Sequence, residues 1–425
     1  MLILEYIDGM AGRRYRFFLL SANRENKRKP FNQKAVSMRA YSMYGFLSGL
    51  LLSIFCVLTL HGATVSIPCD HLDFGLSPYT WKPTSAGAEA RVEATMPGAY
   101  FKTIVKGTTT IELLVDGTAN DGCPPPSMPF IEYSVDDGPF TVKQLAQAGS
   151  VYPFPIAAGL DAAIPHKLEV FFRAADLGQK RWTSSMAHLR IAGLSVDTGG
   201  TLAAYPKRSK LAMGFGDSIT EGVGVDGLFT SWQKLDVNNA RGSWFPVVCA
   251  GLDCEYGQFG SGGQGMVKEL EMPGLPKTWD HYDATTSRLT NGLLLPEPDY
   301  IFCNMGTNDY GGINITNAYT DWLMAVRKAC PHTRIFCVVP PSGVHRDEIQ
   351  AVVASRNHAD DKAVHIIDIP ALNATITTRP GATQLTYDGV HPTLQGEAIF
   401  GACIIAQTQQ LLSGCTASVN QSKAP

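Results

Sequence analysis

The hydrophobic period of this chain changes once, near residue 200, and that change restricts the fold more than any other feature. From about 66 to 195, short runs of alternating apolar and polar residues are separated by Gly, Pro, Asp and Asn. Arg91–Thr95, Thr109–Val115, Phe130–Val135 and Lys167–Arg173 all carry the period of two expected of strands with one buried face. Asp136-Asp137-Gly138 follows the third run as a hairpin turn. No long helical pattern interrupts them, so residues 66–196 are expected to form an all-β sandwich or jelly roll. From about 208 to 413, strand-like runs (210–215, 299–304, 333–339, 363–369) alternate with helical ones (242–251, 315–329, 346–356, 394–413). That alternation specifies a parallel sheet with helices on both faces, an α/β domain over 208–415. Between the two, the small and polar stretch 197–207 is expected to be a linker, and 416–425 a polar, frayed tail.

The N-terminal 63 residues follow neither pattern. Arg13, Arg14, Arg16, Arg24, Lys27, Arg28, Lys29, Lys34 and Arg39 precede a charge-free run from Tyr44 to Leu60. Basic residues followed by an apolar run make an export signal, and the charge asymmetry puts the remainder outside the cytoplasm. A cleaved signal is preferred over an uncleaved anchor through residues 44–60, although His61-Gly62-Ala63 is a poor cleavage site. Met38 or Met43 would give a leader of ordinary length. The expected location is therefore secreted, periplasmic or at the cell surface. Charged residues are only 17% of the 425 and the net charge is −3, so no basic excess calls for nucleic acid.

The ten cysteines make no C-x-x-C, and the remaining histidines have no ligand spacing. No metal and no cofactor are expected. Cys303 and Cys337 sit inside apolar strand-like runs and read as core. In an oxidising compartment, Cys69 and Cys123 are a candidate bridge within the first domain.

Three short blocks in the second domain carry chemistry. Gly216-Asp217-Ser218-Ile219-Thr220 follows a strand-like run, which sets Ser218 at the carboxyl end of a parallel strand, where open α/β sheets bind ligands. A serine hydroxyl needs a base, and His391 supplies an imidazole. Asp388 lies three residues earlier in Asp388-Gly389-Val390-His391, close enough to hold the ring tautomer. An oxyanion then needs donors. The Ser218 N–H is one, the Asn308 carboxamide in Gly306-Thr307-Asn308-Asp309 is a second, and a glycine N–H within 260–265 is a third. Each such donor is worth roughly 3 kcal/mol in a transition state. Asp217 reads as a clamp on the serine turn, and Asp309 as a cap.

In this order the blocks resemble the SGNH hydrolases, a subgroup of the GDSL esterases. The resemblance implies Ser218 as nucleophile, Asp388 and His391 as its partners, and Ser218, Gly263 and Asn308 as the oxyanion hole. Gly260 is the alternative to Gly263, because the asparagine usual early in that block is absent. A β domain ahead of an SGNH domain is similar to the two-domain carbohydrate esterases, and the segments 131–139 and Arg181-Trp182 resemble theirs. That resemblance implies a serine esterase acting on acylated carbohydrate, with O-acetyl groups as substrate. Two alternatives stay open: a lipase-like or thioesterase-like enzyme for longer acyl chains, and a non-catalytic carbohydrate-binding protein. Trp182, Trp232 and Trp244 are candidates for stacking on sugars, with Trp244 more in the manner of a core residue.

Overall fold

The computed structural model describes residues 63–421 apart from 86, 147, 185, 232 and 370–384. The basic leader, the run 44–60 and Trp232 lie outside the described residues. Among the described residues, no helix is long and apolar enough to cross a membrane.

The N-terminal region is two antiparallel sheets. One runs in the order Lys82–Ser85, Arg91–Ala94, Leu189–Asp197, Thr110–Asp116, Val151–Ala158, with Thr64–Pro68 also paired to Leu189–Asp197. The other runs Thr201–Ala203, Tyr100–Lys106, His166–Ala174, Phe130–Val135, Thr141–Gln144, with Gly75–Leu76 on Tyr100–Lys106. Alternation does the work expected of it. Ile111, Leu113 and Val115 point inward from the first sheet and meet Phe101, Ile131, Leu168, Val170 and Phe172 from the second in one core. The Asp136-Asp137 turn has both residues at positive φ (54° and 57°) and is closed by the Gly138 N–H on the Val135 carbonyl at 3.0 Å, a backbone that follows the strand twist.

The second region is a five-stranded parallel sheet in the order Cys254–Gly260, Lys210–Gly216, Tyr300–Asn304, Arg334–Val338, Val364–Ile367. Successive side chains pack on opposite faces. Met213, Phe215, Ile301, Cys303, Ile335 and Cys337 meet helices Thr316–Ala329 and Arg346–His358. Ala212, Phe302, Phe336 and Val338 meet helices Trp244–Gly251 and Leu394–Gln421. Three layers result, α/β/α.

The structure departs from the sequence expectations in four places. The edge strand Cys254–Gly260 was not among the expected strands. Its Gly257 accepts close approach of the first domain, since a Cβ there would lie 2.3 Å from the Pro78 carbonyl. A strand buried by another domain carries no solvent face and hence no period-two signal. Within the expected linker, Thr201–Ala203 pairs with Ile104–Lys106 and belongs to the β region. The last helix continues past Thr416 to Gln421. Cys69 and Cys123 do not bridge and are both free thiols. Cys69 is sealed in the sandwich core, where burial pushes its thiol up to about 11, while the Cys123 thiol turns to the Pro124 carbonyl at 3.8 Å.

The two regions, as far as their residues are described, belong to one compact unit. Buried polar contacts cross the junction. Arg173 joins Glu132 to Asp226, Arg241 reaches back to Glu132, and the Tyr100 hydroxyl meets the Glu255 carboxylate and the Tyr256 N–H.

Candidate active site

The carboxyl ends of three neighbouring parallel strands deliver the candidate residues. Lys210–Gly216 leads into Ser218, Cys254–Gly260 into the glycine loop, and Tyr300–Asn304 into Asn308. Ser218 opens a one-turn helix, Ser218–Glu221, whose cap is Asp217: its Oδ1 accepts the Ile219 N–H at 3.0 Å. Asp217 is fully buried, and that burial pushes its carboxyl up to about 6 against the pull of the Ile219 hydrogen bond. It acts on the turn and not as the imidazole partner, which is the part the sequence assigns it.

Asp388, His391 and Ser218 form a continuous relay. His391 Nδ1 lies 2.6 Å from Asp388 Oδ2, and His391 Nε2 lies 2.8 Å from Ser218 Oγ. The other carboxylate oxygen of Asp388 accepts the N–H groups of Val390 and His391 at 2.9 and 2.8 Å, which locks the four-residue turn. Partial burial works against the Asp388 charge, but the His391 hydrogen bond and charge outweigh it and hold the carboxyl down at about 2. A carboxylate that stays charged beside Nδ1 leaves Nε2 as the acceptor facing the hydroxyl.

Ser218, His391, Gly263 and Asn308 line one cavity of about 250 Å³, with Val223, Phe229, Leu270 and Tyr310 among its walls. Gly260 is not in that wall; it pairs with Gly216 inside the sheet. Gly263 sits at φ +75°, a conformation that favours glycine, and an added Cβ would lie 2.3 Å from Leu270 Cδ2. Among the described residues, its N–H meets no hydrogen-bond acceptor. Asn308 donates one amide hydrogen to the Gln264 carbonyl at 2.9 Å, which fixes the side chain and leaves its second N–H for the cavity. Asp309 does more than cap. Its carboxylate accepts the N–H groups of Met266, Val267 and Lys268 at 2.7, 3.0 and 2.8 Å and so clasps the far side of the glycine loop.

Sequence reasoning passed over the cavity's aromatic rim and the buried Glu221. Tyr310 is 65% exposed at the cavity, with the Lys268 ammonium 3.3 Å from its ring centroid. Glu221 accepts the Gly262 N–H at 2.6 Å and pairs with Arg181. Its place within the block Gly216–Gly222 was the available signal. Trp182 and Trp244 are both core residues: Trp182 packs edge-on to Phe259, and Trp244 is fully buried against Phe245 and Phe400. Among the described residues, no group of three or more His, Cys, Asp or Glu side chains is arranged to hold a metal. The arrangement provides a nucleophile, a base, an orienting carboxylate and converging donors, which suffices for acyl transfer.

The chain resembles known proteins in part of its sequence and in its fold. Residues 215–399 match the GDSL-like Lipase/Acylhydrolase family. The chain is 26% identical over 205 residues to the cellulase/esterase CelE of Acetivibrio thermocellus, which covers 45% of this chain and 25% of that protein. It thus spans about a quarter of that relative's length. Its fold is similar to a family two carbohydrate esterase from Cellvibrio japonicus, at 17% identity and a TM-score of 0.66 over 83% of this chain and 98% of that one. It is similar too to an acetyl xylan esterase from Butyrivibrio proteoclasticus, at 16% identity and a TM-score of 0.64 over 83% and 98% of the two chains. A family two carbohydrate esterase from Clostridium thermocellum, in complex with cellohexaose, matches at 17% identity and a TM-score of 0.62 over 83% and 99%.

Proposed function

Because residues 215–399 form a domain of the GDSL-like lipase/acylhydrolase family, we propose that the protein is a serine esterase that removes short acyl groups, acetyl foremost, from carbohydrate. The observation that carries this reading is the relay of Asp388, His391 and Ser218, at 2.6 and 2.8 Å, opening into a cavity shared with Gly263 and Asn308. Ser218 Oγ attacks the ester carbonyl and gives its proton to His391 Nε2. The oxyanion takes the N–H groups of Ser218 and Gly263 and the Asn308 amide. Collapse breaks the bond to the sugar oxygen, which leaves as an alcohol with the proton from His391. Water then attacks the acyl-serine, His391 takes its proton and returns it to Ser218 Oγ, and the carboxylic acid is released. Asp388 remains ionised throughout and stabilises the imidazolium.

The cavity volume supports a short acyl group. At about 250 Å³ it falls below the roughly 300–1,000 Å³ of pockets for larger ligands. Carbohydrate is supported by the exposed Tyr310 side chain in the cavity wall, an aromatic ring of the kind sugars pack against, and by the relatives' printed activities. The exposed apolar side chains around the mouth, Leu270 and Val390, favour a second reading, an enzyme for longer chains. An acyl-length series of p-nitrophenyl esters from acetyl to octanoyl, with acetylated xylo- and manno-oligosaccharides, separates the two. Fastest turnover at acetyl and release of acetate from the glycans are expected; a maximum at six carbons or beyond rejects the acetylesterase. The proposed site of action is outside the cytoplasm, on the strength of the basic residues before the run 44–60. Retention in the cytoplasm of a reporter fused to residues 1–66 would contradict it.

A further inference from the structure

Gly262 and Gly263 are adjacent residues without side chains, and the backbone of such a pair is the least restrained a chain can have. Something outside the pair must hold it if the Gly263 N–H is to point at one place. From Gln264 onward the loop is held by its own domain: the Gln264 side chain donates to the Pro273 carbonyl and the Thr278 hydroxyl, and Asn308 and Asp309 grip the backbone. Gly262 is held differently. Its N–H donates to Glu221 Oε2 at 2.6 Å, and the other oxygen of Glu221 pairs with Arg181, a residue of the β region. Arg181 and Glu221 are 1% and 3% exposed. The Arg181 backbone is itself pinned, its carbonyl 2.8 Å from His188 Nε2, with His188 Nδ1 3.1 Å from Glu93. Leu177, four residues before Arg181, reaches to 3.1 Å from where a Gly262 Cβ would be, and Ser218 Cβ is 3.6 Å from the same point.

We propose that Arg181 is a positioning residue for ester hydrolysis: through the Glu221 carboxylate it fixes the Gly262 peptide and so aims the neighbouring Gly263 N–H at the oxyanion. The β region thereby supplies part of the catalytic geometry. The physical reason is charge. An ionised carboxylate accepts a shorter and stronger hydrogen bond from a backbone N–H than a neutral oxygen does, and a charge held in a buried site needs a cation beside it. Removing the guanidinium takes away the partner that fixes the Glu221 side chain, so its grip on the Gly262 N–H loosens.

The inference rests on the serine-esterase reading, and its test separates the two. Full-length Arg181→Met, Arg181→Lys, Arg181→Met/Glu221→Gln, Tyr100→Phe and Ser218→Ala proteins are compared for kcat and KM on p-nitrophenyl acetate. Affinity for a small alkylboronic acid, whose boron becomes tetrahedral on adding the serine oxygen, is measured in parallel. Arg181→Met is expected to lower kcat about 10- to 100-fold with KM within about twofold, the scale of an ångström's misplacement at a reacting centre. Boronate affinity should fall by the same factor. Arg181→Lys, which keeps the charge, should lose less. The double variant should regain part of kcat, because the glutamine oxygen still accepts the Gly262 N–H and no charge is left unpaired. Tyr100→Phe breaks a different buried contact between the regions, one with no link to the glycine loop, and should leave kcat within about twofold of wild type. If Arg181→Met does not fold, Arg181→Lys and the double variant carry the comparison. Wild-type kcat and boronate affinity in folded Arg181→Met, or in both Arg181→Lys and the double variant where Arg181→Met does not fold, overturn the proposal, as does an equal loss in Tyr100→Phe. Retained turnover in Ser218→Ala overturns instead the serine reading itself.

Discussion

Gly263→Ala puts the proposed oxyanion loop under a load that can be worked from the structure. At φ +75° an alanine pays about 1–2 kcal/mol for the left-handed backbone. Its Cβ would also lie 2.3 Å from Leu270 Cδ2, the far end of an exposed side chain that can swing aside for about 0.5–1.5 kcal/mol. The strain is therefore about 2–3 kcal/mol, and rotation of the 262–263 peptide relieves most of it. A strain of ~2 kcal/mol biases the loop about thirtyfold toward the relaxed form, in which the N–H no longer faces the oxyanion. Complete loss of one donor caps the effect at about 10²–10³ in kcat. Gly263→Ala is thus expected to lose between about 30-fold and 10³-fold in kcat, with KM nearly unchanged. Steady-state kinetics on p-nitrophenyl acetate, beside a thermal melt, reads both quantities. Gly263→Ala/Leu270→Ala removes the 2.3 Å overlap but keeps the position-270 Cβ at 3.1 Å and the φ penalty, so it should recover stability more than rate. A folded Gly263→Ala enzyme with kcat within about twofold of wild type would refute the reasoning, because a thirtyfold bias against the donating form leaves no room for a silent substitution.

Three further outcomes are expected. Asp388→Asn should lower kcat by about 10⁴ with modest change in KM, as loss of the orienting carboxylate does in serine hydrolases; a loss under tenfold would remove Asp388 from the relay. Asp217 is raised from 3.8 to about 6, so its neutral form favours the fold: that stability is complete below about pH 4 and lost as pH rises to about 6. Relative to wild type, Asp217→Asn should therefore gain up to ~3 kcal/mol of stability between pH 4 and pH 7 in urea unfolding, and a difference that does not change with pH would contradict the buried, raised carboxyl. Residues 208–421 expressed alone leave Glu221 and Asp226 without their arginines and bare the face at Gly257. Aggregation or a much lower melting temperature is expected, and a soluble monomer as stable as the full chain would show that the regions do not depend on each other.

The candidate relay was legible because its chemistry lies in three short blocks, each at the end of a run that reads as a strand or opens a helix. Ser218, Asn308, Asp388 and His391 need no long-range information to be suspected, only to be joined. The glycine was harder. Gly260 and Gly263 are equivalent as letters, and only the sheet register, which ties Gly260 to Gly216 and leaves Gly263 in the cavity wall, separates them. What the sequence hid is what the junction between the regions buries. Strand Cys254–Gly260 lost its period because its outer face meets the first domain, and Arg181 looked like one more cation of a β domain until Glu221 was found beneath it. Cys69 and Cys123 were paired on compartment and count alone, which says nothing of which way two thiols face.

The measurement that bears most directly on the central claim is the identity of the acylated residue. Rapid acid quenching during turnover of p-nitrophenyl acetate, followed by proteolysis and mass spectrometry, reports where the acetyl group resides. The expected result is one acetylated peptide, containing Ser218, that accumulates in Asp388→Asn and is absent from Ser218→Ala. Acetyl on another side chain, or full turnover in Ser218→Ala with no acyl-enzyme at any time, would contradict catalysis by the relay of Asp388, His391 and Ser218.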